Sequence, residues 1–354
     1  MKKTFINLST AAIFLLPWAV HAEMPPITGK PVIDTPKLLE WQADRGVVLP
    51  NLDDPTADTL YDLHAGVSSC DIVLSTEGNY HPALHDIWPV FLAKFKDKPL
   101  RNWFYTTSPP VVMPQTQHHS LEFGNFYSSC MPSVAVGGKP VIDKLAAAGL
   151  TDGAPLPLYV DQGEVILVKK GNPRHIHSVW DLGRKGVRLV TPNPTSEAGA
   201  FKAYAKAIYA IAKNDPHPPR GMTADKLINI IFNGANHDKY KWLAGARIHH
   251  RDEPWSVAYG RADAAVILYH LGVFTKQSFP DTFDVVPLGG TVSDPRPLPG
   301  TTIGTRYVVA LKGEWTPRQL EARNVLVQTL MSDAFTKDLE THGLKRPDNF
   351  MPMP

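Results

Sequence analysis

The chain has 354 residues, 43% hydrophobic and 20% charged, with a formal net charge of +2, which is room for two domains with cores of their own. So small a charge, with no Lys/Arg-rich run, excludes the electrostatic gathering of a polyanion and sets nucleic acid aside as a partner. The 33 prolines are scattered among apolar segments, a pattern of ordered loops rather than of a low-complexity tract.

Residues 1–22 read as a secretory signal. Lys2 and Lys3 supply the basic start and "AAIFLLPWAV" the apolar stretch. Val20-His21-Ala22 places small residues where cleavage after Ala22 needs them. The apolar run is too short to span a bilayer, so the expected product is a soluble periplasmic protein. Residues 23–65, rich in Pro, Asp and Thr, read as an N-terminal extension lying on the surface.

Regular alternation starts at "CDIVLS", a short apolar run of the kind found in buried parallel strands. From Ala83 the residues Leu84, Ile87, Trp88, Phe91 and Phe95 follow helical spacing. "NWFYTTSPP" reads as a second strand, and "GNFYSSCMPSVAVGGKPVIDKLAAAGL" as a third strand, a loop and a helix. Further strands are "EVILVKKGNP", the start of "GVRLVTPNPTSEAGAFKAYAKAIYAIA" with its following helix, "ADAAVILYH", "FDVVPLG" and "RYVVALKG". A last helix opens at Thr316 as N-cap with Pro317 in its first position. Strands alternating with helices predict an α/β protein. Two sets of such units predict two lobes, the first over 66–167 completed by 305–354 and the second over 168–304. "GEVILVKKGNP" and "TRYVVALKG" are the expected crossings.

Several phrases resemble the periplasmic solute-binding proteins of molybdate and tungstate ABC transport systems. The likeness is densest in "VKKGNPRHIHSVWDLGRKGVRLVTPNPTSEAGAF" and in "VAYGRADAAVILYH". It implies a periplasmic-binding-protein type II fold, with two Rossmann-like α/β lobes joined by a hinge and one small anionic ligand in the cleft. It also implies an ABC transporter membrane permease as partner, a monomer without cofactor, and a ligand-side Tyr269. No local signature of a catalytic nucleophile or nucleotide loop occurs, so the chain reads as a binding protein and not an enzyme.

Members of that family hold an oxyanion with hydroxyls and backbone N–H groups from both lobes. Here Ser75 and Thr76, Ser108, Ser129, Thr195 and Ser196 are the suitable donors. Glu77, His81, Cys130, His250 and Arg251 stand near them in the strand-end loops. In "HHRDEP", Asp252 or Glu253 fits a helix cap and Pro254 a first turn. Arg251 fits either a bidentate contact to an anion or a surface ion pair.

Cys70 opening the first strand and Cys130 closing the third predicts two thiols about 20 Å apart for a six-residue strand, too far for a disulfide. A free Cys130 near the cleft then keeps open a transition-metal or thiophilic-metalloid ligand. A role presenting ligand to a membrane sensor is open as well.

Overall fold

The computed structural model describes residues 23–34, 65–107, 116, 121–123, 126–235, 237–245, 248–301 and 303–353. The expected leader, residues 1–22, and Ser108 lie outside them.

The first lobe is built on a five-stranded sheet in the order β4-β3-β7-β14-β8. Its strands are β3 (Ile72–Thr76), β4 (Trp103–Thr106), β7 (Val134–Gly138), β8 (Thr151–Val160) and β14 (Thr305–Leu311). Strands β3, β4 and β7 run parallel, and β14 lies antiparallel to both its neighbours. Every residue of β3 is buried, as an apolar strand covered by helices on both faces must be. Helix α1 (His81–Ala93) buries Leu84, Ile87, Trp88 and Phe91. It packs with α7 (Pro317–Leu330) and α8 (Asp333–Thr341) over one face. The other face holds α2 (Lys139–Ala147), which buries Ile142 and Leu145 against Val309 and Leu311.

A small sheet, in the order β2 (Ala65–Val67), β6 (Phe126–Ser128) and β5 (Leu121–Phe123), is attached to this lobe. Its anchor is a Cys70–Cys130 disulfide with a Cα separation of 5.7 Å, so Cys130 is not a free thiol. "FYS" belongs to the small sheet, and the strand that pairs with β3 is β7, which starts at Val134. Both cysteines therefore precede neighbouring parallel strands at the same end of the sheet, rather than bracketing it.

The second lobe has a six-stranded sheet in the order β1-β11-β10-β12-β9-β13. Its strands are β1 (Val32–Asp34), β9 (Glu164–Lys169), β10 (Leu189–Thr191), β11 (Trp242–Gly245), β12 (Ala264–Leu268) and β13 (Phe283–Pro287). Helices α3 (Ala198–Asn214) and α4 (Ala224–Phe232) pack on one face. Helices α5 (His249–Ala258) and α6 (Tyr269–Ser278) cover the other.

Part of the expected surface extension is thus the sheet's edge strand, with Val32 opposite Leu243. It reaches that edge beside α4. A Cβ on Gly29 would lie 1.8 Å from the Phe232 carbonyl oxygen, so only glycine allows the approach.

The expected crossings are also displaced, because each of the two apolar runs sits inside one sheet. The chain changes sheets at residues 161–163 and again over 288–304. All of β9 therefore lies in the second sheet, short of the boundary expected after residue 167. The signal is Gly163, whose φ of 79° turns the chain in a conformation that favours glycine.

Candidate functional site

In a parallel α/β sheet, ligands meet the carboxyl ends of the strands, where helix N-termini present unpaired N–H groups. Here β3 hands over to α1 through Glu77 to Tyr80, β11 leads to α5, and β12 runs directly into α6. These ends face one another across a cavity of about 710 Å³. Gly78, His81 and Thr107 line it from the first lobe, and His250, Arg251 and Trp255 from the second.

Of the expected site residues, His81, His250 and Arg251 are brought together at this cavity. Arg251 is exposed, and no acidic side chain pairs with it among the described residues. Burial lowers the His81 imidazole below its ordinary value, with His85 and Arg251 adding to the shift. His250 is drawn down to about 3, first by burial and then by His249 and Arg251, so it is neutral at physiological pH. Its Nδ1 is shielded from solvent and without a hydrogen-bond partner, as is Trp255 Nε1.

Helix α5 differs from the expected reading of "HHRDEP". It starts at His249, so Asp252 and Glu253 lie inside it, both buried, and Pro254 is an interior residue. Its leading N–H is satisfied from elsewhere. Glu197, just before α3, accepts the His249 backbone N–H at 2.9 Å, and its other oxygen lies 2.9 Å from His249 Nδ1. With its outer turn thus tied to α3, α5 turns Arg251 and His250 toward the first lobe.

Other expected residues are engaged within the fold. Glu77 accepts the Tyr159 hydroxyl at 2.5 Å and Arg306 Nε at 2.7 Å. Arg306 Nη1 lies 3.0 Å from Asp161 Oδ2, so a single guanidinium joins a loop of the first lobe to the hinge. Thr76 Oγ1 donates to Tyr80 Oη at 2.8 Å, and Ser75 is buried in β3. The Tyr269 hydroxyl donates to the Val292 carbonyl at 2.6 Å, holding the second crossing rather than facing the cavity.

Thr195 and Ser196 are exposed in the turn before α3, their N–H groups donating to Asn193 Oδ1. Ser129 and Cys130 sit by the disulfide, at the start of β7 and away from the strand ends that line the cavity. With Cys130 bridged, the thiol behind the soft-ligand reading is gone. No group of three or more metal-ligating side chains occurs among the described residues.

The sequence reading missed the cavity's walls. Trp255 on α5 and Tyr259, the residue that ends it, stack with ring centroids 5.1 Å apart, four residues apart, and α6 adds Phe274. That i, i+4 aromatic spacing is readable in the sequence as a helix face.

Residues 132–344 match the family of bacterial extracellular solute-binding proteins, and the chain belongs to it. Proteins of this family bind solutes and are not enzymes. Over 76 residues the chain is 48% identical to the sulfate-binding protein of Escherichia coli, covering 20% of this chain and 23% of that one. Over 77 residues it is 36% identical to the thiosulfate-binding protein of the same organism, covering 22% of each. The chain thus matches less than a quarter of the length of these relatives.

Among solved structures it is similar to the sulfate-binding protein SubI from Mycobacterium tuberculosis. The TM-score is 0.52 and the identity 17%, over 81% of this chain and 88% of that one. An ABC transporter substrate-binding protein from Bradyrhizobium japonicum gives a TM-score of 0.51 and 12% identity, over 80% and 83%. At such identities the likeness shows the fold, that of two-lobe periplasmic binding proteins. No helix among the described residues is long and apolar enough to cross a membrane.

Proposed function

We propose that this chain is exported to the periplasm, its leader cleaved after Ala22, to bind a small solute carrying an oxyanionic group and deliver it to the membrane permease of an ABC importer. The observation that carries this reading is Arg251, a guanidinium without an acidic partner among the described residues. It stands in an inter-lobe cavity with no carboxylate in its described lining. A guanidinium so placed matches a pair of anionic oxygens with two parallel N–H donors. The resemblance to molybdate- and tungstate-binding proteins and the local identity to sulfate- and thiosulfate-binding proteins both support an oxyanionic group.

The test is thermal unfolding of the ligand-stripped mature chain against molybdate, tungstate, sulfate, thiosulfate, organic sulfonates and carboxylates, and a divalent metal. A ligand at a hundred times its dissociation constant adds about 2.7 kcal/mol of stability. Arg251→Ala should reduce the binding energy of the active anion by about 1.5–3 kcal/mol, the range for hydrogen bonds to charged groups, while hardly changing ligand-free stability. If no anion moves the transition and the metal does, the reading fails.

A further inference from the structure

The cavity walls do not suit a bare tetrahedral ion. An inorganic oxyanion taken out of water needs a hydrogen bond for each oxygen it turns to the protein. Past Arg251 the lining becomes apolar and aromatic, with Trp255, Leu271, Phe274 and Phe283. Tyr259 and Phe274 remain 64% and 42% exposed at its edge, where such rings have no packing role in the lobe's core. The volume of about 710 Å³ is that of a pocket for a ligand of many heavy atoms, far more than a tetrahedral oxyanion fills.

From this juxtaposition of one guanidinium with an aromatic wall, we infer that the cavity binds an organic monoanion with a flat apolar body. Its charged end rests on Arg251 and its body lies against Trp255 and Phe274. The inference rests on the anion-binding reading and names its solute class. Charge supports it. With His250 drawn down to about 3 by burial and by His249 and Arg251, and His81 lowered by burial, His85 and Arg251, Arg251 is the charge to be matched. A dianion would leave one charge uncompensated in a partly dry site.

Titration calorimetry of the full mature chain with benzenesulfonate, methanesulfonate and sulfate separates the possibilities. Methanesulfonate carries the same charged group without the flat body. Benzenesulfonate should bind at least tenfold more tightly than either of the others. Phe274→Ser, at an exposed position the fold tolerates, and Trp255→Ala should each remove at least fivefold of that preference. Arg251→Ala should weaken both sulfonates alike.

Sulfate or methanesulfonate binding as tightly as benzenesulfonate overturns the inference and leaves the anion reading standing. If no anion binds, both fall. Should the aromatic face instead seat a second copy of the chain, no probe would bind and a concentration-dependent dimer would be lost in Phe274→Ser, which also overturns the inference.

Discussion

Asp161 shows how one side chain can carry a pH dependence for the hinge. It is fully buried, and its carboxyl is pushed up to about 7, by burial first. Arg306 pulls it down, while Glu77 and Glu164 add to the rise. An unfolded aspartate titrates near 4. Between those two values the folded chain keeps a proton that the unfolded chain has released. This group therefore favours folding most at low pH, and its contribution falls as pH rises through about 7. Asp161→Asn should gain stability relative to the parent at pH 8, with the gain shrinking toward pH 5, as read by urea denaturation. A difference that is flat across that range, or of opposite slope, would contradict the assignment. Arg251 differs in kind, because among the described residues its guanidinium has no acidic partner, and on the proposed reading it acts on what enters the cavity rather than on the fold.

Among the elements, those whose determinants are local were legible in the sequence. Helix α7 starts as expected, with Pro317 in the first turn. Thr316 Oγ1 accepts the Gln319 N–H at 3.3 Å and Gln319 Oε1 the Thr316 N–H at 2.9 Å, an exchange within four residues. Strand β3 and helix α1 were equally visible from their apolar spacing. Helix α5 was not, because the carboxylate that takes its first N–H comes from Glu197, more than fifty residues earlier. The aromatic pair Trp255 and Tyr259 at the end of α5 can be read from the chain, but only the sheet order brings Phe274 of α6 to the same cavity.

The disulfide was lost for a related reason. Which strand pairs with β3 is a matter of topology, and two short β-rich segments, β6 and β7, compete for that place. Peptide mapping without reduction should find Cys70 joined to Cys130, which are 60 residues apart. Reducing the bond should lower unfolding stability by about 2–5 kcal/mol, measured by denaturant titration with and without reductant. No change on reduction would mean that the small sheet is held by other contacts.

On the scale of the whole molecule, the two crossings lie side by side. The Asp161 N–H donates to the Gly304 carbonyl at 3.3 Å, and Thr305 pairs with Val160. Two adjacent crossing segments connect the lobes, and Arg306 sits at their root, bonded to Glu77 and near Asp161. The two-lobe α/β architecture was legible because alternation of strands and helices is a property of the whole chain. The lobe boundary was not, because an apolar strand such as β9 carries no mark of the sheet it will join.

Strand β14, placed between β7 and β8 in the first lobe's sheet, is drawn from residues 305–311, late in the chain. During synthesis or passage through an export channel, the first lobe must therefore wait with a gap in the middle of its sheet. The second lobe, complete in sequence by Pro287 apart from its crossing segment, can form earlier. Chains stalled during synthesis before residue 305 should accordingly show amides of β10 and β12 protected from hydrogen exchange and those of β3 and β7 unprotected. Protection of β3 and β7 in such chains would show that they pair stably before β14 arrives. If the chain is exported as proposed, the interval matters, because the exposed edges of β7 and β8 are open to pairing with other chains until residues 305–311 have crossed.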